Sequence, residues 1–202
     1  MSSAGRCKGC VTVDNGKVPT RLEGEKVVLR EKRLSDAEND YAWGIDPELC
    51  RLDAARPLTL SFKDAKALFQ EELVYPPPRR HRFGIDTKTG LHVGNCMVYD
   101  ISERRGEGEL GIMIGDRRFW NKSFGTDAVE TLLRFAFTHL PLKRIYLHTL
   151  DWNVRAQKSF AKTGFDSIGV VQRNKHSFIH MEILKDKWES IVGQEQARAE
   201  VR

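Results

Sequence analysis

The sequence predicts a mixed α+β domain: a mostly antiparallel central sheet flanked by helices, with one parallel strand pair. Three observations carry this. Three strand-like runs, 82–87, 92–101 and 109–114, follow one another across short turns, as in an antiparallel meander. Two longer segments, 62–74 and 126–139, place apolar residues at helical spacing. Finally, 109–114, 126–139 and 144–150 together have the length of a strand–helix–strand crossover, whose two strands are parallel neighbours.

The 202 residues suffice for one hydrophobic core, and 40% hydrophobic with 30% charged residues is ordinary globular composition. No apolar run approaches the roughly 20 residues that a membrane helix needs. Met1 to Gly16 holds no apolar stretch of signal-peptide type, so the expected location is the cytoplasm, with no membrane partner. A net charge of +5 suits a polyanionic small molecule or nucleic acid. The basic residues are spread along the chain, and no recognition helix or aromatic sheet motif stands out, so nucleic acid is not the expected partner. Four cysteines, Cys7, Cys10, Cys50 and Cys96, are too sparse for a disulfide framework. Cys7 and Cys10 have the spacing of half a zinc knuckle. No second Cys or His pair completes the set, and they read as solvated thiols with no metal.

Taken in order, residues 1–21 are small and polar and read as a flexible arm. Val27, Val28 and Leu29 centre a strand at 26–30. Ser35-Asp36 stands where a helix cap belongs, with a helix over 36–43. Asp46-Pro47-Glu48 breaks it. Ser61 caps the helix 62–74, whose Ala65, Leu68, Phe69 and Leu73 share a face, and Pro76-Pro77-Pro78 stops it. The meander follows, with turns at Thr89-Gly90 and at Gly106 and Gly108. Ala128, Val129, Leu132, Leu133, Phe135, Ala136 and Leu140 cover one face of the helix 126–139. The strand 144–150 leads to a helix 153–163, ended by Gly164 in the place of a left-handed cap. Strands 168–172 and 178–184 complete the sheet, and 186–202 reads as a polar helix or frayed tail. The expected organisation is one domain over 22–189, with an arm before it and a tail at 190–202.

The most informative stretch runs from Arg117 to Asp127, between a strand and a well-formed helix. Unpaired N–H groups at a helix start attract anions. Small residues at alternate positions, Asn121, Ser123 and Gly125, let such an anion come close to the backbone, and Arg117, Arg118 and Lys122 add positive charge. This composition describes a diphosphate nest. Spacing alone equally fits a surface loop with Thr126 as helix cap. Gly-Lys-Ser/Thr is missing, which argues against a nucleoside triphosphatase.

The segment Phe119-Trp120-Asn121-Lys122-Ser123-Phe124-Gly125-Thr126-Asp127-Ala128 resembles the pyrophosphate loop of GNAT acetyltransferases, in the branch of the ribosomal-protein alanine and spermidine N-acetyltransferases. The usual form there is aromatic-Trp-Gly-Lys-Gly-aromatic-Gly-Thr-Glu-Ala. The likeness extends in order from about residue 22 to 189: Val27-Val28-Leu29-Arg30 with Leu34-Ser35-Asp36-Ala37, then Asp46-Pro47-Glu48, Gly108 to Ile114, Asn153-Val154-Arg155-Ala156, Lys162-Thr163-Gly164-Phe165, and Leu184 to Trp188. The resemblance implies a GNAT fold in which 109–114 splays from 144–150. It implies acetyl-CoA as co-substrate, with transfer of the acetyl group to a primary amine of a small molecule or protein N-terminus by direct attack in a ternary complex. Met113 and Ile114 would pair with pantetheine. Arg118, Phe119, Asn121, Lys122, Ser123, Phe124, Gly125 and Thr126 would hold the pyrophosphate. Asn153 would contact pantetheine or order a catalytic water while capping its helix. A homodimer is common in such proteins.

Two departures stand out. Asn121 and Ser123 replace glycines, and Ser tolerates a positive φ less well than Asn. Phe160 lies where many members place a tyrosine that protonates the departing thiolate, and phenylalanine cannot. These losses raise the alternative of a GNAT-fold acyl-CoA or ligand-binding protein without catalysis. Glu109 is the candidate base, a carboxylate on the central strand; it reads equally as a solvated turn-edge acid beside Glu103 and Glu107. His148, alternating with Tyr146 and Leu150, reads as structural. Arg155 and Lys158 read as exposed helix charges able to reach phosphates. Trp43, Tyr75, Arg79, Arg80 and His81 fall on segments that rim the acceptor site in this fold.

Overall fold

β-branched and aromatic runs, punctuated by Gly, Asn and Pro, pair here into one sheet of eight strands. The computed structural model describes residues 19–200. The elements are β1 (Arg21–Glu23), β2 (Val27–Glu31), α1 (Ala37–Gly44), α2 (Pro47–Leu52), α3 (Phe62–Val74), β3 (His81–Thr87), β4 (His92–Ser102), β5 (Glu107–Ile114), α4 (Phe124–His139), β6 (Arg144–Leu150), α5 (Val154–Lys162), β7 (Asp166–Arg173), β8 (His176–Leu184) and α6 (Lys185–Glu200). The strand order is β1-β2-β3-β4-β5-β6-β8-β7. β5 and β6 are parallel neighbours, as the crossover spacing predicts, and the other pairs are antiparallel.

Alternate residues of the central strands face α4. Leu29, Phe83, Ile85, Val98, Leu110, Ile145, Leu147 and Ile183 join Val129, Leu132, Leu133 and Phe135 of α4 in one apolar core. Each large side chain buried there contributes about 1.5–3 kcal/mol. The opposite face is sealed by charge. Arg30 lies buried between two carboxylates, donating Nη1 to Asp36 Oδ2 at 2.6 Å and Nη2 to Asp86 Oδ1 at 2.8 Å. Lys32 extends the cluster to Asp40 and Asn95. Burial alone would raise the Asp36 pKa; Arg30, the Arg33 N–H and Lys32 outweigh it and hold the carboxyl at about 2. Asp36 therefore anchors α1 to the sheet. Its side chain caps nothing in α1, and Ser35 sits inside a short 3-10 turn, Leu34–Asp36, ahead of it.

α1 ends at Gly44, ahead of Asp46-Pro47-Glu48 as expected, and the same segment starts α2. Asp46 Oδ1 accepts from the N–H of Glu48 and Leu49, and Pro47 occupies the first helical position, where its missing N–H costs nothing. Ser61 caps α3 through the Asp64 N–H, as read from the sequence. Gly164 takes φ +95° after α5, again as expected. The last two strands are longer than predicted, because Asn174 and Lys175 both adopt positive φ and make a tight two-residue turn. Arg21, assigned to the arm, already belongs to β1. The boundary expected after residue 189 falls inside α6, whose Trp188 stacks on Phe137 at 5.4 Å. Cys50 and Cys96 are free and buried. Cys7 and Cys10 lie outside the described residues.

Candidate active site

The site begins where the sheet parts. β5 pairs with β6 at Glu107–Arg144, Gly108–Ile145 and Glu109–Tyr146, and there the ladder ends. β5 runs on to Ile114 still paired with β4, and β6 runs on to Leu150 paired with β8. A wedge opens between them, with the β6-side edge of β5 unpaired from Leu110 onward. A cavity of about 390 Å³ fills it, within the roughly 300–1,000 Å³ of small-molecule sites. Ile112, Met113 and Ile114 form one wall, Phe124, Gly125, Thr126 and Val129 of α4 another, and Asn153, Ala156, Ser159 and Phe160 of α5 a third. Leu49, Leu52 and Asp53 close it from the α2 side.

At its mouth the chain turns through a 3-10 segment, Arg117–Phe119, into α4. Asn121 (φ 57°) and Ser123 (φ 66°) both adopt the left-handed conformation. Ser123 is the residue before the helix and its hydroxyl caps nothing. Among the described residues, no protein acceptor takes the N–H groups of Asn121, Lys122, Ser123, Phe124, Gly125 and Thr126. These donors, at the positive end of a 16-residue helix, form an anion nest. A Cβ on Gly125 would meet only Ile114 Cγ1, at 3.6 Å; its bareness serves the cavity, not the protein's own packing. Thr126 is not the cap but lies in the first turn, its Oγ1 3.0 Å from Ser159 Oγ, which ties α4 to α5.

The left-handed strain at Ser123 is testable. Non-glycine residues there carry about 1–2 kcal/mol of steric cost, partly offset by the extra unfolded-state freedom of glycine. Ser123→Gly is expected to stabilise the protein by about 0.5–1 kcal/mol in urea unfolding, and Asn121→Gly by less, since Asn tolerates these angles better. A destabilised Ser123→Gly would show that the hydroxyl does more than endure the angle.

The positive charge comes from a different quarter than expected. Arg117 is held by Asp46 at 2.8 Å and Glu48 at 3.0 Å, and Arg118 by Asp116 at 2.6 Å. Neither lines the cavity, nor does the exposed Lys122. Their nearest acids neutralise both arginines. Arg155, Lys158 and Lys162 of α5 line the cavity instead. Arg155 stacks 3.8 Å over the Trp120 ring, and Trp120 Nε1 donates to the Ile114 carbonyl at 2.6 Å. Sequence reading missed this stack: Trp120 and Arg155 are far apart in the chain, and only the fold joins them.

Asn153 caps α5, its Oδ1 accepting from the Ala156 N–H at 3.3 Å, and also lines the cavity. Phe160 is buried, edge-on to Phe165, with one face to the cavity. Glu109 is buried, not solvated; it stands on the last rung of the parallel ladder, at the apex of the wedge, and is not among the residues that line the cavity. Its Oε1 is 2.8 Å from His148 Nδ1. Tyr99, opposite it on β4, has its hydroxyl pKa raised by burial and then by the Glu109 charge. Asp53 lines the cavity, exposed, and its carboxylate has no hydrogen-bond partner among the described residues; desolvation raises its carboxyl pKa. The acceptor-rim residues expected from sequence do not line the cavity: Trp43 packs on Gly115 and His92, Arg80 pairs with Glu72, and His81 packs on Phe135.

Comparison with known proteins decides the family. A model described as acetyltransferase (GNAT) domain matches residues 26–166, which holds the wedge, the nest and α5. The chain belongs to the GNAT acetyltransferase family. It is an acetyl-CoA-dependent acyltransferase. The acetyltransferase is 29% identical over 154 residues to an uncharacterized N-acetyltransferase p20 of Bacillus licheniformis, covering 75% of this chain and 85% of that one. It is 28% identical over 163 residues to the alpha/beta-tubulin-N-acetyltransferase 9 of Homo sapiens, covering 74% and 76%. Its fold matches the spermidine N-acetyltransferase of Vibrio cholerae, solved with CoA and spermine, at a TM-score of 0.72 and 20% identity, over 81% of this chain and 98% of that one.

Proposed function

We propose that the acetyltransferase acts on a primary amine, of a small molecule or a protein N-terminus, by direct attack of that amine in a ternary complex. The observation that supports this most is the row of unpartnered amides from Asn121 to Thr126 opening on the wedge. These donors suit the two charges of a diphosphate, with Lys158 and Arg155 beside them. The unpaired edge at Met113 and Ile114 suits an extended amide-bearing arm, which it would receive as an added strand. Phe160 would wall that arm, and Asn153, its Oδ1 engaged in the cap, keeps an amide N–H for it. Acetyl-CoA would supply an activated acetyl group there.

On the protein side the reaction needs a proton acceptor and a place for the amine. Glu109 takes the proton that the amine sheds on attack, directly or through water. Asp53, unpartnered at the α2 wall, draws in the cationic amine. Phe160 donates nothing, so the thiolate takes its proton from water. Titrating the whole protein with CoA by calorimetry is expected to give saturable one-to-one heat that weakens with salt. A panel of primary amines with acetyl-CoA is expected to release thiol for at least one member. No heat would sink the reading. Heat with no thiol release from any amine would favour a ligand-binding protein instead.

A further inference from the structure

Glu109 does not stand alone at the apex of the wedge. His148 is the first residue of β6 on that sheet face beyond the last rung of the ladder, Glu109–Tyr146. The carboxylate leans across the opening strands to reach it, with Oε1 2.8 Å from Nδ1. Opposite His148 in register on β8 stands His180, whose Nδ1 is 3.0 Å from His148 Nε2. The side chains of Glu109 and His148 are 10% and 8% exposed, so neither is free to swing into solvent. Beyond His180 comes Glu182, which Arg144 bridges to Glu107.

The proton positions follow from the partners. A carboxylate oxygen only accepts, so His148 must carry its proton on Nδ1 and donate it to Oε1. With that as its only proton, His148 keeps a lone pair on Nε2, which can only accept. His180 must therefore carry its own proton on Nδ1 and donate it to His148. Burial lowers the His180 pKa, so at neutral pH it holds a single N–H, and beside a lone pair on His148 that one is directed inward. His148 cannot itself meet an acceptor, because both its ring nitrogens are taken.

We propose that His148 and His180 are positioning residues for Glu109, a tautomer-locked chain that takes up Oε1 and so fixes the orientation of the carboxylate toward the acceptor amine. This rests on the reading of Glu109 as base. It gives a role to the pair of histidines, beyond which the next pair on that sheet face, Leu150–Phe178, is apolar. A fixed carboxylate matters because misplacing a reacting group by about 1 Å can cost about a hundredfold in rate.

Two measurements test it. Long-range proton–nitrogen NMR of the whole protein, labelled at histidine, is expected to show both His148 and His180 as Nδ1–H tautomers at pH 8. Finding either as Nε2–H would overturn the proposal, whatever the enzyme turns over. With the amine panel, His148→Ala is expected to lower kcat by about tenfold to a hundredfold while KM for acetyl-CoA holds. His148→Asn, whose amide N–H takes the place of Nδ1–H, is expected to recover kcat to within about threefold. A His148→Ala variant with full kcat, or one that shifts KM in its place, sinks the positioning role. Glu109→Gln separates the two ideas: undiminished turnover there removes the base, whereas an inactive Glu109→Gln beside an unaffected His148→Ala removes this proposal alone.

Discussion

Glu109→Gln is expected to lower kcat by about 10²–10⁴-fold, with KM for acetyl-CoA and the calorimetric affinity for CoA nearly unchanged. Glutamine keeps the shape of the side chain, and its Oε1 can still accept from His148 Nδ1, so the strand apex stays closed. What it loses is the capacity to hold a proton. The attacking amine must shed one, and Asp53, the carboxylate that lines the cavity, sits out at the α2 wall. In free energy the loss is about 3–5 kcal/mol of transition-state stabilisation. The rate that remains is what holding two reactants together supplies. The variant should unfold at the same urea concentration as the parent, which separates lost chemistry from lost structure. Undiminished kcat removes Glu109 from the reaction.

Much of the framework was legible because it rests on local signals. The apolar stripe of α4, the Ser61 cap, the strand at 144–150 and the left-handed Gly164 were read correctly since each is decided by neighbours within a few residues. The parallel pairing of β5 and β6 followed from crossover length alone. The strained angles at Asn121 and Ser123 are set by the loop form and not by the side chains. Charge was harder. Arg117 and Arg118 stand beside the loop in sequence, yet each is paired with an acid, and the cations that line the cavity are on α5. Nor could alternation along β6 reveal that His148 has Glu109 on one side and His180 on the other, since both partners come from other strands. Asp36 had the residue type of a cap for α1, but its carboxylate turns to the Arg30 guanidinium and the Arg33 N–H and not to an N–H of that helix.

Asp127→Ala is expected to destabilise the fold by about 3–5 kcal/mol, the largest stability effect foreseen for a single side chain here. The buried carboxylate accepts three backbone N–H groups from the turn between β1 and β2: Glu25 at 2.8 Å, Lys26 at 2.7 Å and Val27 at 2.8 Å. Hydrogen bonds to a charged acceptor are worth about 1.5–3 kcal/mol each, and alanine would leave these donors without a partner in a pocket too tight for easy hydration. The tightness shows at Gly24, where an added Cβ would stand 2.6 Å from both Asp127 Oδ2 and Thr131 Oγ1. Asp127 lies in the first turn of α4, so the same contact braces the helix end that presents the amides of the nest. Affinity for CoA is therefore expected to fall along with stability. Asp127→Asn, which keeps one accepting oxygen, should lose roughly half as much of each. Urea unfolding and CoA titration of the two variants check the order. If Asp127→Ala unfolds within about 0.5 kcal/mol of the parent, the turn finds other acceptors, and the nest is held by the Thr126–Ser159 contact and core packing instead.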